Sequence, residues 1–271
     1  GAAAARRRRA RTASNRAPAG GSAMSSGRWC WPRVLAHRGA GRFAPENTLA
    51  ALRKGAALGA RALECDVKLS RDGVCVLLHD DTLERTTDGH GRASQHDWAT
   101  LARLDAGSWH SPEYAGEPPA QLGAIAAACR ALDHAINVEI KPEPGLETGT
   151  GWSVAHACEQ LWAGAALPPL LSSFSVAALH SARLAAPRLP RALLVEAIPP
   201  DWRAQLESLE AVALHCWHGA LTPVLAAEVK SAGFALFCYT VDEPQRAREL
   251  FGWGVDGLCT DRPDVVTEAI A

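Results

Sequence analysis

The chain has 271 residues, enough for one (β/α)8 barrel of about 250 residues or for two small domains. Its 48% apolar and 21% charged residues are ordinary globular composition, which excludes a fibrous or largely disordered protein and leaves no run that reads as membrane-spanning. The net charge of −1 is unevenly spread: six of the 28 basic residues lie in Gly1–Ala23, which holds no acid, and the remainder sets 22 basic residues against 29 acidic ones.

Gly1–Ala23 is almost entirely Ala, Arg, Gly, Ser and Pro, so it has little apolar surface to offset the entropy of ordering. Residues 1–28 are therefore expected to be a disordered extension ahead of a body at 29–271. Met24, the one methionine, is the expected start of translation, with the residues upstream of it a non-native extension. A basic arm for nucleic acid is the rival reading, disfavoured by the acidic body, and no nucleic-acid partner is expected. The arm has no apolar core of a secretory signal. Cys65, Cys75, Cys216, Cys238 and Cys259 fall in short apolar runs and read as small buried hydrophobes, not disulfides or zinc ligands, so a reducing, cytoplasmic location is expected.

Short β-type runs alternate with Ala/Leu-rich segments of helical length. The runs are Arg33–His37, Ala62–Leu69, Val74–His79, Ile136–Lys141, Leu170–Ser173, Ala192–Glu196, Val212–Trp217, Phe234–Thr240 and Gly257–Thr260. Nine is one too many for the barrel. Only Ser70 to Gly73 separate the second run from the third, too few for a parallel crossover, so Val74–His79 must return as a hairpin arm about the Asp72-Gly73 turn. That pairing brings His79 back near Glu64. Helices are expected over segments such as Glu46–Leu58, Leu122–Leu132, Trp152–Gly164, Pro223–Ala232 and Glu243–Phe251. Residues 80–120 fit no barrel unit and read as a small cap over the C-terminal face, where barrels carry their active sites. Trp98, Trp109 and Tyr114 either pack this cap or touch substrate. A doubly wound open sheet is the alternative fold, but His37-Arg38-Gly39-Ala40-Gly41 lacks the third glycine of a dinucleotide turn.

Strand periodicity turns Glu64 and Asp66 to one face and Cys65 to the other, and does the same for Glu139 and Lys141 around Ile140. With the apolar residues against the helices, three carboxylates face the barrel axis, where charge is expensive without a partner. All-oxygen ligation suits one hard divalent ion, Mg²⁺ or Ca²⁺. Structural ion pairs, Glu139–Lys141 and Glu64–Arg38, are the alternative. His37 and Arg38 close the first strand and His79 arrives by the hairpin, so two imidazoles suited to acid/base work share the rim. Three acids against Arg38 and Lys141 leave a net charge of −1 that would repel an anion, and a divalent ion brings the group to +1.

In order along the chain, His37-Arg38-Gly39, Pro45-Glu46-Asn47-Thr48, Glu64-Cys65-Asp66-Val67, His79-Asp80 and Val138-Glu139-Ile140-Lys141 resemble the glycerophosphodiester phosphodiesterase family. The resemblance continues through Ser172-Ser173-Phe174, Tyr239-Thr240-Val241-Asp242 and Asp256-Gly257 to Thr260-Asp261-Arg262-Pro263, covering Arg33 to Ala271. It implies a (β/α)8 barrel with a small insertion and metal-dependent hydrolysis of glycerophosphodiesters to sn-glycerol 3-phosphate and an alcohol. Carried over, it implies Glu64, Asp66 and Glu139 as metal ligands, His37 and His79 as acid and base, and Arg38 and Lys141 as phosphate ligands. Glu46 is implied at the site edge, or else is a first-turn helix acid after Pro45. Phe174 and Tyr239 are implied to line the pocket for the alcohol, or else to fill the barrel. Tyr239 and Asp242 stand where relatives often have Trp and Asn.

Two rival functions remain open. A related barrel phosphodiesterase of lysophospholipase D or phospholipase C type would need a rim that engages lipid, a possibility the nine tryptophans leave open; no stable membrane association is expected. A catalytically dead barrel used as a binding module would have no use for two histidines beside three acids. The partner expected is a small-molecule diester.

Overall fold

The computed structural model describes residues 29–269, so the extension expected over 1–28 lies outside the described residues. Strands form at all nine runs: β1 (Val34–Ala36), β2 (Ala62–Leu69), β3 (Cys75–Leu77), β4 (Ala135–Ile140), β5 (Leu170–Ser173), β6 (Arg191–Val195), β7 (Ala213–Trp217), β8 (Ala235–Tyr239) and β9 (Gly257–Thr260). Parallel neighbours run β1-β9-β8-β7-β6-β5-β4-β2, and Ala36 opposite Leu63 joins β1 to β2 and closes the ring. The result is the (β/α)8 barrel. β3 runs antiparallel to β2 with Val67 opposite Leu77. Its three-residue turn is closed by Ser70 N–H donating to Val74 O at 2.9 Å, and Gly73 takes φ +80° as such a turn requires.

The helices are α1 (Leu49–Ala57), α2 (Trp98–Leu101), α3 (Leu122–Leu132), α4 (Glu147–Leu161), α5 (Val176–Ala185), α6 (Trp202–Leu209), α7 (Pro223–Ser231), α8 (Pro244–Gly252) and α9 (Pro263–Ala269). Two helix starts differ from expectation by more than one residue. α1 begins at Leu49, because the Thr48 hydroxyl accepts Ala51 N–H at 3.1 Å as an N-cap and Asn47 sits at φ 60°. Glu46 therefore precedes the helix, and its reading as a first-turn acid after Pro45 is overturned. α4 begins at Glu147 instead of Trp152. Gly149 and Gly151 weaken the local helix propensity, but a Cβ at Gly151 would lie 2.2 Å from Ala178 O, so glycine there lets α4 press against α5.

Strand alternation sorts the barrel wall. Cys65 and Val138 turn outward into one apolar cluster with Ile125 and Cys129 of α3 and Val154 and Cys158 of α4. Inward at the N-terminal end, Ala135, Ala192, Ala213 and Ala235 are small, and the space they leave is filled from below by aromatic rings. Trp29 stacks on Phe237 at 5.4 Å and meets Trp31 edge-on at 5.0 Å, while Trp31 Nε1 donates to Pro168 O. The bottom is thus a packed plug, and the cavity is left at the C-terminal end.

Residues 80–120 leave β3 at that C-terminal end, carry α2 and turns at Ala93–Gln95 and Pro112–Tyr114, and bury Leu83, Ala93 and Leu101 against Val76 and Leu78. Trp98 packs on this cluster, Tyr114 packs beside Ala40, Ala44 and Ala51, and Trp109 stays partly exposed. The segment rejoins the barrel where Leu77 N–H donates to Ala120 O at 2.9 Å.

The loop after β1 is held by an unusually close approach. A Cβ on Gly55 of α1 would fall 2.0 Å from Gly39 O. Gly55→Ala should therefore push the His37–Gly39 turn away from α1. The expected outcome is a destabilisation of about 1–3 kcal/mol in urea unfolding, typical of overpacking, with loss of activity. An unchanged midpoint would show that the turn yields freely.

Candidate active site

β2 presents Glu64 and Asp66 on its inner face, and the parallel register sets Asp66 opposite Glu139 and Glu64 opposite Asn137. Carboxylate oxygens of Glu64, Asp66 and Glu139 all lie within 4.8 Å of one another, and all three side chains are buried. Their cavity, about 260 Å³, is also lined by His37, Arg38, His79, Lys141, Phe174 and Tyr239. Nine of the ten residues expected at the site share this cavity. The tenth, Glu46, stands behind Arg38 and accepts its Nη1 at 2.7 Å.

The three acids are held differently. Asp66 accepts from Asn47 Nδ2 at 2.9 Å and lies 3.4 Å from both Lys141 Nζ and Arg38 Nε. Burial acts to raise its pKa, but Lys141, Arg38 and His79 together overcome that and bring it to about 2. Glu139 accepts Lys141 Nζ at 2.9 Å, yet burial and the Asp66 charge leave its pKa raised. Among the described residues Glu64 accepts only the Arg38 backbone N–H, through Oε2 at 3.1 Å, and its Oε1 is buried without a hydrogen-bond partner. Burial first and Asp66 second push Glu64 up to about 8.

An account by ion pairs alone leaves that oxygen orphaned, because the Arg38 guanidinium turns to Glu46 and Asp66 and not to Glu64. An all-oxygen set with an unsatisfied buried atom fits a hard cation well.

Each histidine is backed by a carboxylate. His37 Nδ1 lies 2.7 Å from Asp261 Oδ1, and Asp261 N–H donates to Asp242 Oδ1 at 2.8 Å. His79 Nδ1 lies 2.7 Å from Asp80 Oδ1. With Nδ1–H given to the carboxylate, Nε2 is the free position; for His37 it is 3.9 Å from Glu64 Oε2. Burial lowers both pKa values, but in His37 the Asp261 hydrogen bond and Glu64 reverse the shift and leave it raised. In His79, burial with Arg38 and Lys141 outweighs Asp66, and its pKa is lowered.

A continuous chain of charge links the two rims of the site. Arg85, from the 80–120 segment, donates to Asp80 at 2.6 and 2.9 Å and to Glu46 at 2.7 and 2.9 Å, and Glu46 meets Arg38.

The family model described as "Glycerophosphoryl diester phosphodiesterase family" matches residues 37–265 of this chain. The chain belongs to this family. A glycerophosphodiester phosphodiesterase of Caldanaerobacter subterraneus subsp. tengcongensis is 32% identical over 238 residues, covering 88% of this chain and 97% of the relative. A glycerophosphodiester phosphodiesterase of Bacillus subtilis is 31% identical, covering 90% and 89%. Among solved structures, an Oleispira antarctica phosphodiesterase in complex with the product sn-glycerol-3-phosphate superposes with a TM-score of 0.85 at 37% identity, covering 89% of this chain and 97% of that one. The family and the enzyme class implied by the sequence motifs are thereby met.

Asp261, Asp80, Arg85 and Asn47 escaped the sequence reading as site residues of this phosphodiesterase family member. Position held the signal for two of them: Asp80 follows His79 directly, and Asp261 follows the last residue of β9 on the catalytic face. Asn47 and Arg85 act through loops, which carry no periodicity to read.

Because the Glu64 pKa is raised from 4.5 to about 8, the folded chain binds more protons than the unfolded one between those values. Its stability contribution therefore falls as pH rises through that window. In chelator-treated protein the melting temperature of Glu64→Gln should decline less steeply than wild type from pH 5 to 8 and lie above it at pH 8. Parallel curves would show that Glu64 ionises as an ordinary carboxylate.

Proposed function

We propose that the protein hydrolyses glycerophosphodiesters to sn-glycerol 3-phosphate and an alcohol, using one divalent cation, Mg²⁺ or Ca²⁺, and two histidines. The observation that carries this reading is the meeting of three buried carboxylates and two carboxylate-backed imidazoles in one cavity of a chain of this family. Glu64, Asp66 and Glu139 would hold the cation, which when bound supplies Lewis-acid stabilisation of phosphoryl charge.

Arg38 and Lys141 stand on opposite sides of Asp66 and bind phosphoryl oxygens, offsetting the charge that grows in the transition state. One histidine removes the proton of the glycerol hydroxyl beside the ester, and that oxygen attacks phosphorus. The other protonates the departing alcohol oxygen. The cyclic phosphate so formed is opened by water with the histidine roles exchanged. Opposed pKa directions at His37 and His79 suit a pair in which one ring holds a proton and the other accepts one. Asp261 and Asp80 fix the tautomer that aims Nε2 at the reaction. Phe174 and Tyr239 sit edge to face at 5.9 Å beside the mouth, where the alcohol would leave, and Tyr239 is anchored by its hydroxyl donating to Val195 O. Cytoplasmic location belongs to the same proposal, supported by the buried thiols of Cys65, Cys216, Cys238 and Cys259; no helix among the described residues is long and apolar enough to cross a membrane.

Glycerophosphocholine hydrolysis, followed by release of glycerol 3-phosphate, should stop with EDTA and return with Mg²⁺ or Ca²⁺. The matched 2-deoxy diester should react slower by roughly 10² or more, since an internal nucleophile has a large effective-molarity advantage. Equal kcat/KM for the two would replace internal attack with attack by water, and full activity in chelator would remove the cation from the mechanism.

His37→Ala and His79→Ala should each lower kcat by roughly 10²–10⁴-fold while leaving the melting temperature within a few degrees. Near wild-type turnover in either variant would assign that ring to structure.

A further inference from the structure

Below the charged ring the cavity ends on a floor whose polarity the reaction above does not use. Asn137 and His215 both line the cavity. Asn137 stands beside Glu64 in the strand register; Nδ2 donates to Ser172 Oγ at 3.0 Å, and Oδ1 is buried without a partner among the described residues. His215 is wholly buried on β7, with both ring nitrogens also unpartnered among the described residues. Burial lowers its pKa to about 3, so the ring is neutral, with one donor and one acceptor nitrogen to satisfy. In an eight-strand ring β7 lies diametrically across from β2, so His215 faces the Glu64–Asn137 wall over the cavity.

Buried polar atoms without partners are rare and expensive, and among the described residues five of the seven, Arg38 Nε, Glu64 Oε1, Asn137 Oδ1 and both His215 nitrogens, belong to side chains that line this cavity, the others being on His134 and Arg183. Glu64 Oε1 bears the same mark on the opposite wall and finds its explanation in a ligand. Plain core filling does not explain His215, because its ring neighbours Phe237 at 4.4 Å and Trp29 at 6.4 Å are apolar groups against which a phenyl would pack as well. The two ends of the cavity also differ. Its mouth is bordered by Phe174, 45% exposed, and can let out an alcohol of any size; its closed end fits only a part of the substrate that does not vary. In a glycerophosphodiester the invariant part is the polyol.

We propose that Asn137 and His215 form a hydroxyl-binding floor that takes the terminal hydroxymethyl group of glycerol and selects glycerol diesters over those of a shorter diol. This rests on the glycerophosphodiesterase reading above. A hydroxyl reaching the floor donates to Asn137 Oδ1 and accepts from the protonated ring nitrogen of His215, while the phosphoryl group stays at Arg38 and Lys141 and the leaving alcohol points out past Phe174.

The test compares glycerophosphocholine with 2-hydroxyethyl phosphocholine, which keeps the attacking hydroxyl but lacks the hydroxymethyl group. Binding of sn-glycerol 3-phosphate and of 2-hydroxyethyl phosphate is measured by calorimetry in parallel. Wild type should prefer the glycerol compound in both assays by about tenfold or more, the worth of a buried hydrogen-bonded group. In His215→Phe and Asn137→Ala the ratio should collapse towards unity, and His215→Gln, which keeps a donor and an acceptor, should restore part of it. A wild-type ratio near unity overturns the floor whether or not the variants fold, as do folded variants that keep the wild-type ratio. If wild type hydrolyses neither diester, the functional reading falls, and the calorimetric ratio alone judges the floor. Binding of neither phosphate overturns both.

Discussion

Like charges buried side by side repel strongly, and the repulsion among Glu64, Asp66 and Glu139 within 4.8 Å is what the surrounding structure is arranged to contain. Two cations border the group, and both lean on Asp66. That acid is accordingly held ionised, while its two neighbours are pushed the other way. The imbalance is informative. Had Arg38 been placed to neutralise Glu64, the group would close on itself as a structural network. Instead the guanidinium is drawn outward by Glu46, and an unsatisfied oxygen is left facing the cavity.

Backbone strain at two positions serves the same end. Arg38 and Asn47 both adopt left-handed φ, at 51° and 60°, a region that an arginine rarely enters. They secure each other: Asn47 N–H donates to Arg38 O at 2.9 Å, and the Asn47 side chain bonds Asp66 twice, through its carboxylate and its backbone N–H. The turn after β1 is thereby tied to the middle of β2. Left-handed geometry at Arg38 also turns its N–H towards Glu64, so one unusual residue conformation serves two of the three acids.

What was legible in the sequence follows the reach of each signal. Period-2 alternation is a property of the strand itself, so the inward Glu64, Asp66 and Glu139 and the outward Cys65 and Val138 could be read directly. Loop-length arithmetic was equally local, and the four residues Ser70–Gly73 between the second and third apolar runs settled the hairpin. The start of α1 was misread because a proline and a glutamate look like a first turn, whereas the cap is made by Thr48 three residues on. The start of α4 was hidden by glycines whose need arises only when α5 packs against them. His215 had an inward register but no neighbour in sequence to give it meaning. Contacts such as Asp261 with His37, 224 residues apart, exist only once the ring has closed.

The Arg85 guanidinium, bound at once to Asp80 and Glu46, makes the 80–120 segment part of the electrostatics of the barrel rim. Such an insertion is not a module that can be exchanged between barrels for a new pocket shape. A grafted loop without an equivalent arginine would leave the Glu46 and Asp80 charges facing each other, loosen the carboxylate behind His79, and free Arg38 to swing. Divergence of the insertion and divergence of the rim it binds are thus tied together, and a family built this way would be expected to change both in step or neither.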